Sequence, residues 1–203
     1  VNELTSKTHF VYLASRSPRR AELLQQLGIN FEVVPADIDE TVRSGEEPVE
    51  YALRMALEKA RVAAVKTESR SIPVLGADTT VVVDGNILGK PESKQEAIAM
   101  LRTLSDTTHE VFSAVALVGG GSELTDISRT EVKFRRLSNA ELEAYWALGE
   151  SADKAGGYGI QGYAALFIEQ ITGSYSGVMG LPLFETGRLL ERFGCRLLGK
   201  VVH

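Results

Sequence analysis

A mixed-sheet α/β or α+β domain is what the sequence predicts, and three observations point to it. Helical and extended segments alternate along the chain. Hairpin turns join some of the extended segments, at Asp84-Gly85-Asn86 and Gly119-Gly120-Gly121. No repeat of about 20–50 residues and no low-complexity tract interrupts the pattern. The hairpins argue against a purely parallel, doubly wound sheet.

The elements follow in order. Val11 to Ala14 reads as a short buried strand. Ser17-Pro18 opens a helix, with Ser as N-cap and Pro at the first helical position, where its missing N–H costs nothing. Leu23, Leu24 and Leu27 form its apolar face and Gly28 ends it. Phe31 to Val34 reads as a second strand, and Ala36 to Pro48 as a polar, acidic loop. Leu53, Ala56, Leu57, Ala60 and Ala64 recur at helical spacing within a helix from Val49 to Val65. Pro73 to Ala77 and Thr80 to Val83 are strand-like, and Ile87 to Gly89 returns from the turn that follows. Ser93-Lys94-Gln95-Glu96 is a capping box opening a helix to Leu104. His109 to Val118 and Leu124 to Phe134 form the next hairpin. A second capping box, Ser138-Asn139-Ala140-Glu141, opens a helix through Leu148. A Gly-rich loop from Ser151 to Gly162, a strand from Ala164 to Glu169 and an amphipathic helix from Leu181 to Phe193 complete the reading.

Composition excludes several classes. The 203 residues are 44% hydrophobic and 24% charged, enough for one full core or two small lobes sharing a cleft. Cys195 stands alone, so no internal disulfide staples the chain. His9, His109 and His203 are widely separated, and no HExxH or Cys/His cluster suggests zinc. No apolar run approaches the ~20 residues of a membrane span. The start, Val1 to His9, lacks the charged-then-apolar order of a signal peptide, so a cytoplasmic protein is expected. A net charge of −5 argues against general nucleic-acid binding. A local basic cluster within such a chain points instead to a small anionic ligand.

Several stretches suit that ligand. Ser15-Arg16-Ser17-Pro18-Arg19-Arg20 joins a strand to a helix N-terminus, where free N–H groups, hydroxyls and guanidinium forks suit a phosphate. An ordinary capped helix with solvated arginines has the same pattern. Asp78, in Gly76-Ala77-Asp78-Thr79, interrupts a strand run. A carboxylate at a strand end suits a metal ligand or general base, and equally the closing of a β-turn. Asp37, Asp39 and Glu40 offer partners with which Asp78 could hold Mg²⁺ and substrate phosphates, or form a solvated acidic loop. Lys59 and Lys90 are compact point charges for phosphate, or surface lysines. Gly157, Gly159 and Gly162 make a GxGxxG in the stretch Asp153 to Gly162. That motif belongs between a strand and a helix in dinucleotide-binding folds. Here it follows a helix and leads into a strand, so that reading is rejected. The loop still suits close approach to a planar ligand, and Gln161 offers both donor and acceptor to a base edge.

Together these stretches, with Glu58-Lys59-Ala60, Leu88-Gly89-Lys90-Pro91, Gly173-Ser174-Tyr175 and Gly180-Leu181-Pro182, resemble the Maf family of nucleoside triphosphate pyrophosphatases. The resemblance runs from Leu13 to about Phe193. It implies a mixed-sheet fold of two lobes around a central cleft, like the inosine triphosphatase group, formed by the chain as one domain. It implies hydrolysis of a nucleoside triphosphate to the monophosphate and pyrophosphate, a divalent cation (Mg²⁺ or Mn²⁺), and a homodimer in the cytoplasm. By the family's motifs, Asp78 matches the proposed proton acceptor and Glu40 an acidic position important for activity; the leading reading of the mechanism has Asp78 and Glu40 hold the cation. Ser15, Arg20, Lys59 and Lys90 match triphosphate-binding positions. Arg19, Thr79 and Gln161 match positions that mark the dTTP/UTP-preferring branch, with modified pyrimidine triphosphates as further substrates in house-cleaning of the nucleotide pool. The same resemblance leaves a second class open, a nucleotide-binding regulator of septum formation. A nucleotidyltransferase using the same cleft is a third, and no acceptor pocket is identifiable for it.

Overall fold

The computed structural model describes residues 10–68, 71–195 and 197. Val1 to His9 and His203, read above from the sequence, lie outside the described residues. Among the described residues one sheet carries β1 (Phe10–Leu13), β2 (Asn30–Val33), β3 (Val74–Val83), β4 (Asn86–Leu88), β5 (Thr108–Gly119), β6 (Ser122–Phe134) and β7 (Ile168–Thr172). Its order is β2-β1-β3-β5-β6-β7, with β4 beside β3. β1 is parallel to β2 and β3; the other pairs are antiparallel. This is the mixed sheet expected. Parallel pairs need crossovers, supplied by helices α1 (Pro18–Gln26) and α2 (Pro48–Lys66), while hairpins close β3–β4 and β5–β6, and longer connections join β3 to β5 and β6 to β7.

The remaining helices are α3 (Lys94–Leu104), α4 (Asn139–Ala147), α5 (Tyr175–Met179) and α6 (Leu183–Arg192). Strand alternation distributes them. Leu75 and Ala77 of β3 pack with Leu23, Leu24, Leu189 and Leu190 of α1 and α6. Val81 and Val83 share that face of the strand but pack with Leu101, Leu104, Leu142 and Tyr145 of α3 and α4. On the opposite face, Val74 and Val82 meet the Ala52, Ala56, Ala60 and Ala63 stripe of α2. Thr79 falls between the two clusters of the first face.

Four local expectations are corrected. Pro73 to Ala77 and Thr80 to Val83 are one continuous strand, because Gly76 to Thr79 pair fully with Ala116 to Ser113 of β5. Asp78 is therefore at a strand's middle, not its end. Ala164 to Glu169 begins as a 3₁₀ turn over Tyr163–Phe167, and the strand starts only at Ile168. Ser17 caps α1 by position alone; its hydroxyl makes no cap bond, and Ser15 Oγ instead accepts the Ser17 N–H at 3.2 Å. At Ser93 half the box forms, since Glu96 turns to the N–H of Glu92. The box at Ser138 and Glu141 is complete.

Two features of β3 make a site. β1 pairs with it only at Val74 and Leu75, and β4 only from Val81 to Val83. Between them, among the described residues, residues 76–80 have β5 on one side and an open edge on the other. The opening lies beyond the carboxyl end of β1, where the chain crosses one way to β2 and back over to β3. Ligands of open α/β sheets bind at such switch points. The second feature is Gly76. A Cβ there would lie 2.1 Å from the carbonyl oxygen of Ala56 and 2.8 Å from the Ala60 nitrogen. The prediction is that Gly76→Ala destabilises the fold by about 1–3 kcal/mol or more, the usual cost of overpacking. Urea unfolding measures it, and an unchanged midpoint would contradict the close approach.

Candidate active site

Lys59 and Asp78 come from α2 and β3, the two elements joined at Gly76. The Lys59 ammonium donates to Asp78 Oδ1 at 2.8 Å and pairs with Glu40 Oε1 at 2.7 Å. Thr80 Oγ1 donates to the other Asp78 oxygen at 2.9 Å. Lys59 and Asp78 are 9% and 7% exposed, so neither charge is left to water, whereas Glu40 is exposed. A buried ion survives only when its partners are close and complete, as here. Asp37 and Asp39, which the sequence left as alternatives, are engaged elsewhere. Asp37 takes Arg16 at 2.8 Å, and Asp39 accepts the N–H of Thr41.

The open edge of β3 forms a cleft lined by Arg19, Arg20, Glu40, Lys59, Asp78, Thr79, Lys90 and Gln161, all expected from the sequence. Arg20 is held in place: Nε donates to Gly180 O at 2.8 Å, Nη1 to Ser15 Oγ at 3.1 Å, and Nη2 reaches Thr79 Oγ1 at 3.5 Å. Burial pulls the Arg20 pKa down, and the Asp78 carboxylate opposes it. Ser15 does not line this cleft; it is buried behind Arg20, and Ser17 stands on the wall instead. Arg19 crosses the mouth to Asp153, Nη1 to Oδ2 at 3.2 Å. Lys90 and Gln161 are exposed on the wall. Thr79 also accepts from Ser113 Oγ at 3.2 Å.

The Gly-rich loop closes one side. Gly156 donates its N–H to the Gly89 carbonyl at 2.9 Å, fixing the loop against the segment that carries Lys90. Gly156 has φ +67°, and a Cβ there would press on Val81 at 3.0 Å. Beneath the loop Tyr158 OH meets His109 Nε2 at 2.8 Å, edge-on to Phe134. Sequence reasoning gave no site role to Asp153, Lys154, Tyr51 and Gly180, which also line the cleft. Asp153 and Lys154 stood at the head of the Gly-rich motif. Gly180 contributes a carbonyl, which no side-chain pattern reveals.

As for a metal, among the described residues no three His, Cys, Asp or Glu side chains gather as a ligand set. Asp78 and Glu40 converge on one ammonium nitrogen, and a carboxylate keeps further lone pairs for another cation. Two carboxylates completed by substrate phosphates are a donor set that Mg²⁺ accepts, so the residues fit.

Residues 10–193 match the family model described as "Maf-like protein". The chain belongs to the Maf family. Similar proteins include one from Methylobacillus flagellatus, 52% identical over 93% of this chain and 95% of its own length. One from Aromatoleum aromaticum is 52% identical over 91% and 95%, and one from Chromobacterium violaceum 52% identical over 92% and 96%. Each of the three is named "dTTP/UTP pyrophosphatase".

One buried side chain beneath this Maf cleft, His109, is titratable. Burial pushes the His109 pKa down from 6.5 to about 4. The folded state therefore binds fewer protons than the unfolded chain between those values. His109's contribution to stability is complete above about pH 6.5 and is lost as pH falls towards 4. The loss amounts to about 3 kcal/mol at most. His109→Gln keeps a hydrogen-bonding group but does not titrate, so its melting temperature should fall less steeply across this window. Parallel melting curves for both proteins from pH 7 to 4 would count against the assignment.

Proposed function

We propose that the chain hydrolyses nucleoside triphosphates, dTTP and UTP among them, to the monophosphate and pyrophosphate. The observation that carries this reading is the Asp78–Lys59–Glu40 cluster at a cleft rimmed by Arg19, Arg20 and Lys90. Relatives about half identical over nearly their whole length, named for that reaction, support it. No observation favours a purely binding regulator or a transferase over it.

The roles follow from position. Asp78 orients the attacking water and accepts its proton, being the more buried carboxylate and fixed by Lys59 and Thr80. Lys59 holds Asp78 and Glu40 in register and faces the phosphates. Arg20 and Lys90 meet the charge that grows on the leaving pyrophosphate. Ser15 acts through Arg20, setting its guanidinium plane. Arg19, Thr79 and Gln161 take the pyrimidine. A site built to hydrogen-bond one base rejects another because its own polar groups go unpaired. Asp78 and Glu40, with phosphate oxygens, would hold Mg²⁺ or Mn²⁺. When bound, that cation supplies charge neutralisation and a more acidic water. The same reading expects one domain acting as a homodimer in the cytoplasm. No helix among the described residues is long and apolar enough to cross a membrane.

Pyrophosphate release from a panel of triphosphates tests the proposal. Release from dTTP and UTP should need Mg²⁺ or Mn²⁺ and stop with chelator. Asp78→Asn should lower turnover at least ~100-fold, about 2.7 kcal/mol. Near wild-type turnover would remove Asp78 from the mechanism. Arg19→Ala should cost more with dTTP and UTP than with ATP; equal losses would assign Arg19 to phosphate alone.

A further inference from the structure

We propose that Arg54 and Tyr51 are positioning residues: from α2 they grip the backbone of the loop that carries Glu40, and Glu40 serves the cleft only while that grip holds. The inference rests on the reading above and deepens it.

Residues 34–47 form no helix or strand. A stretch of that length is uncommon within a compact domain unless it is tied down or functional. Its one side chain in the catalytic cluster, Glu40, is 47% exposed. An ion pair so exposed is worth too little to fix a loop by itself. The order must come from the backbone, and two successive carbonyls are held. Tyr51 OH donates to Glu40 O at 3.0 Å, and Arg54 Nη2 donates to Thr41 O at 3.1 Å.

Arg54 reaches the other end of the loop as well. Its guanidinium forks onto Glu46, Nε to Oε1 at 2.5 Å and Nη2 to Oε2 at 2.6 Å, while Glu46 also accepts the N–H of Arg43. The side chains of Arg54 and Glu46 are only 12% and 8% exposed. A planar fork so enclosed is a directional clamp, which a lysine cannot imitate. The guanidinium lies 5.5 Å from the centre of the Tyr51 ring, so the two grips support each other. Residues 51, 54 and 59 fall at spacings that put them on neighbouring faces of one helix. The helix that presents Lys59 to Glu40's carboxylate thus also holds Glu40's main chain.

The test is a mutant cycle on the full chain, read as kcat/KM for dTTP. Arg54→Met should lower it at least about tenfold in the parent, since small misplacements of a catalytic group are costly. In a Glu40→Gln background the same change should cost less than about twofold, because the grip then has nothing to position. Equal factors in both backgrounds would overturn the proposal and make Arg54 merely structural. A Glu40→Gln enzyme as active as the parent would also overturn it. Should Arg54→Met fail to fold, Tyr51→Phe carries the same cycle with a smaller loss. A second readout needs no activity. Trypsin should cut after Arg43 faster in either variant than in the parent, at a temperature where circular dichroism shows both folded. Unchanged cutting would sink the proposal. Absence of pyrophosphate release from the parent would instead sink the function, with the proteolysis still testing the grip.

Discussion

Helix α2 rests on β3 backbone to backbone. The place a Cβ would take on Gly76 is occupied by Ala56 O, and Ala60 fills the next turn. That contact sets the height of α2 above the sheet. Lys59 lies three residues beyond Ala56, and Asp78 two beyond Gly76 on the same strand face. A Lys chain spans that short gap and meets the carboxylate at 2.8 Å. The pairing is costly in isolation, because two ions leave water and the attraction offsets desolvation only with good geometry. It persists here because the supports are complete: Thr80 on the second oxygen of Asp78, and Glu40 on the lysine. Backbone packing thus determines the chemistry, and the alanine stripe of α2 serves function as much as stability.

The open edge of β3 explains why residues from both faces of a strand meet in one cleft. Neighbouring side chains on a strand point to opposite faces, so Asp78 and Thr79 diverge. Were β1 four residues longer, or β4 earlier, a paired strand would separate the two. Because the edge between Leu75 and Val81 is open, the α2 side, with Lys59 and Asp78, and the α1 side, with Arg20 and Thr79, line a single space. The same opening divides the apolar packing on the α1 face into the cluster under α1 and α6 and the cluster under α3 and α4.

Most elements were legible because their signals are local. Pro18, the Ser138–Glu141 box and the glycine turns act on adjacent backbone, and each marked its element. Much of what was not legible depended on partners that the local pattern does not name. Asp78 looked like a strand breaker because a carboxylate rarely occupies a central strand. Lys59, nineteen positions earlier, and the Thr80 hydroxyl make it acceptable there. Tyr163 to Phe167 have strand-like composition, but pack Phe167 against Phe134 and Tyr145 as a 3₁₀ turn. Ser15 matched a phosphate position; the pattern did not show that its Oγ accepts from both Arg20 and the Ser17 N–H. Asp153 gave no sign of its pairing with Arg19, 134 positions away.

Charge in the cleft runs against charge in the chain. The chain carries −5, but Arg19, Arg20, Lys59, Lys90 and Lys154 line the cleft against Glu40, Asp78 and Asp153. Three of those cations have carboxylates: Lys59 has Asp78 and Glu40, while Arg19 and Lys154 share Asp153. Among the described residues Arg20 and Lys90 have none. Lys90 is exposed and solvated. Arg20 is different, since its donors go to a carbonyl and two hydroxyls, and burial already disfavours its charge. A guanidinium fixed in place with only neutral acceptors gains more from an arriving anion than one already paired. The entropy of orienting it is spent in the fold, and no internal salt bridge must break first. The uncompensated positive charge is therefore concentrated where a polyphosphate would lie, and an acidic protein can still draw an anion to that one place.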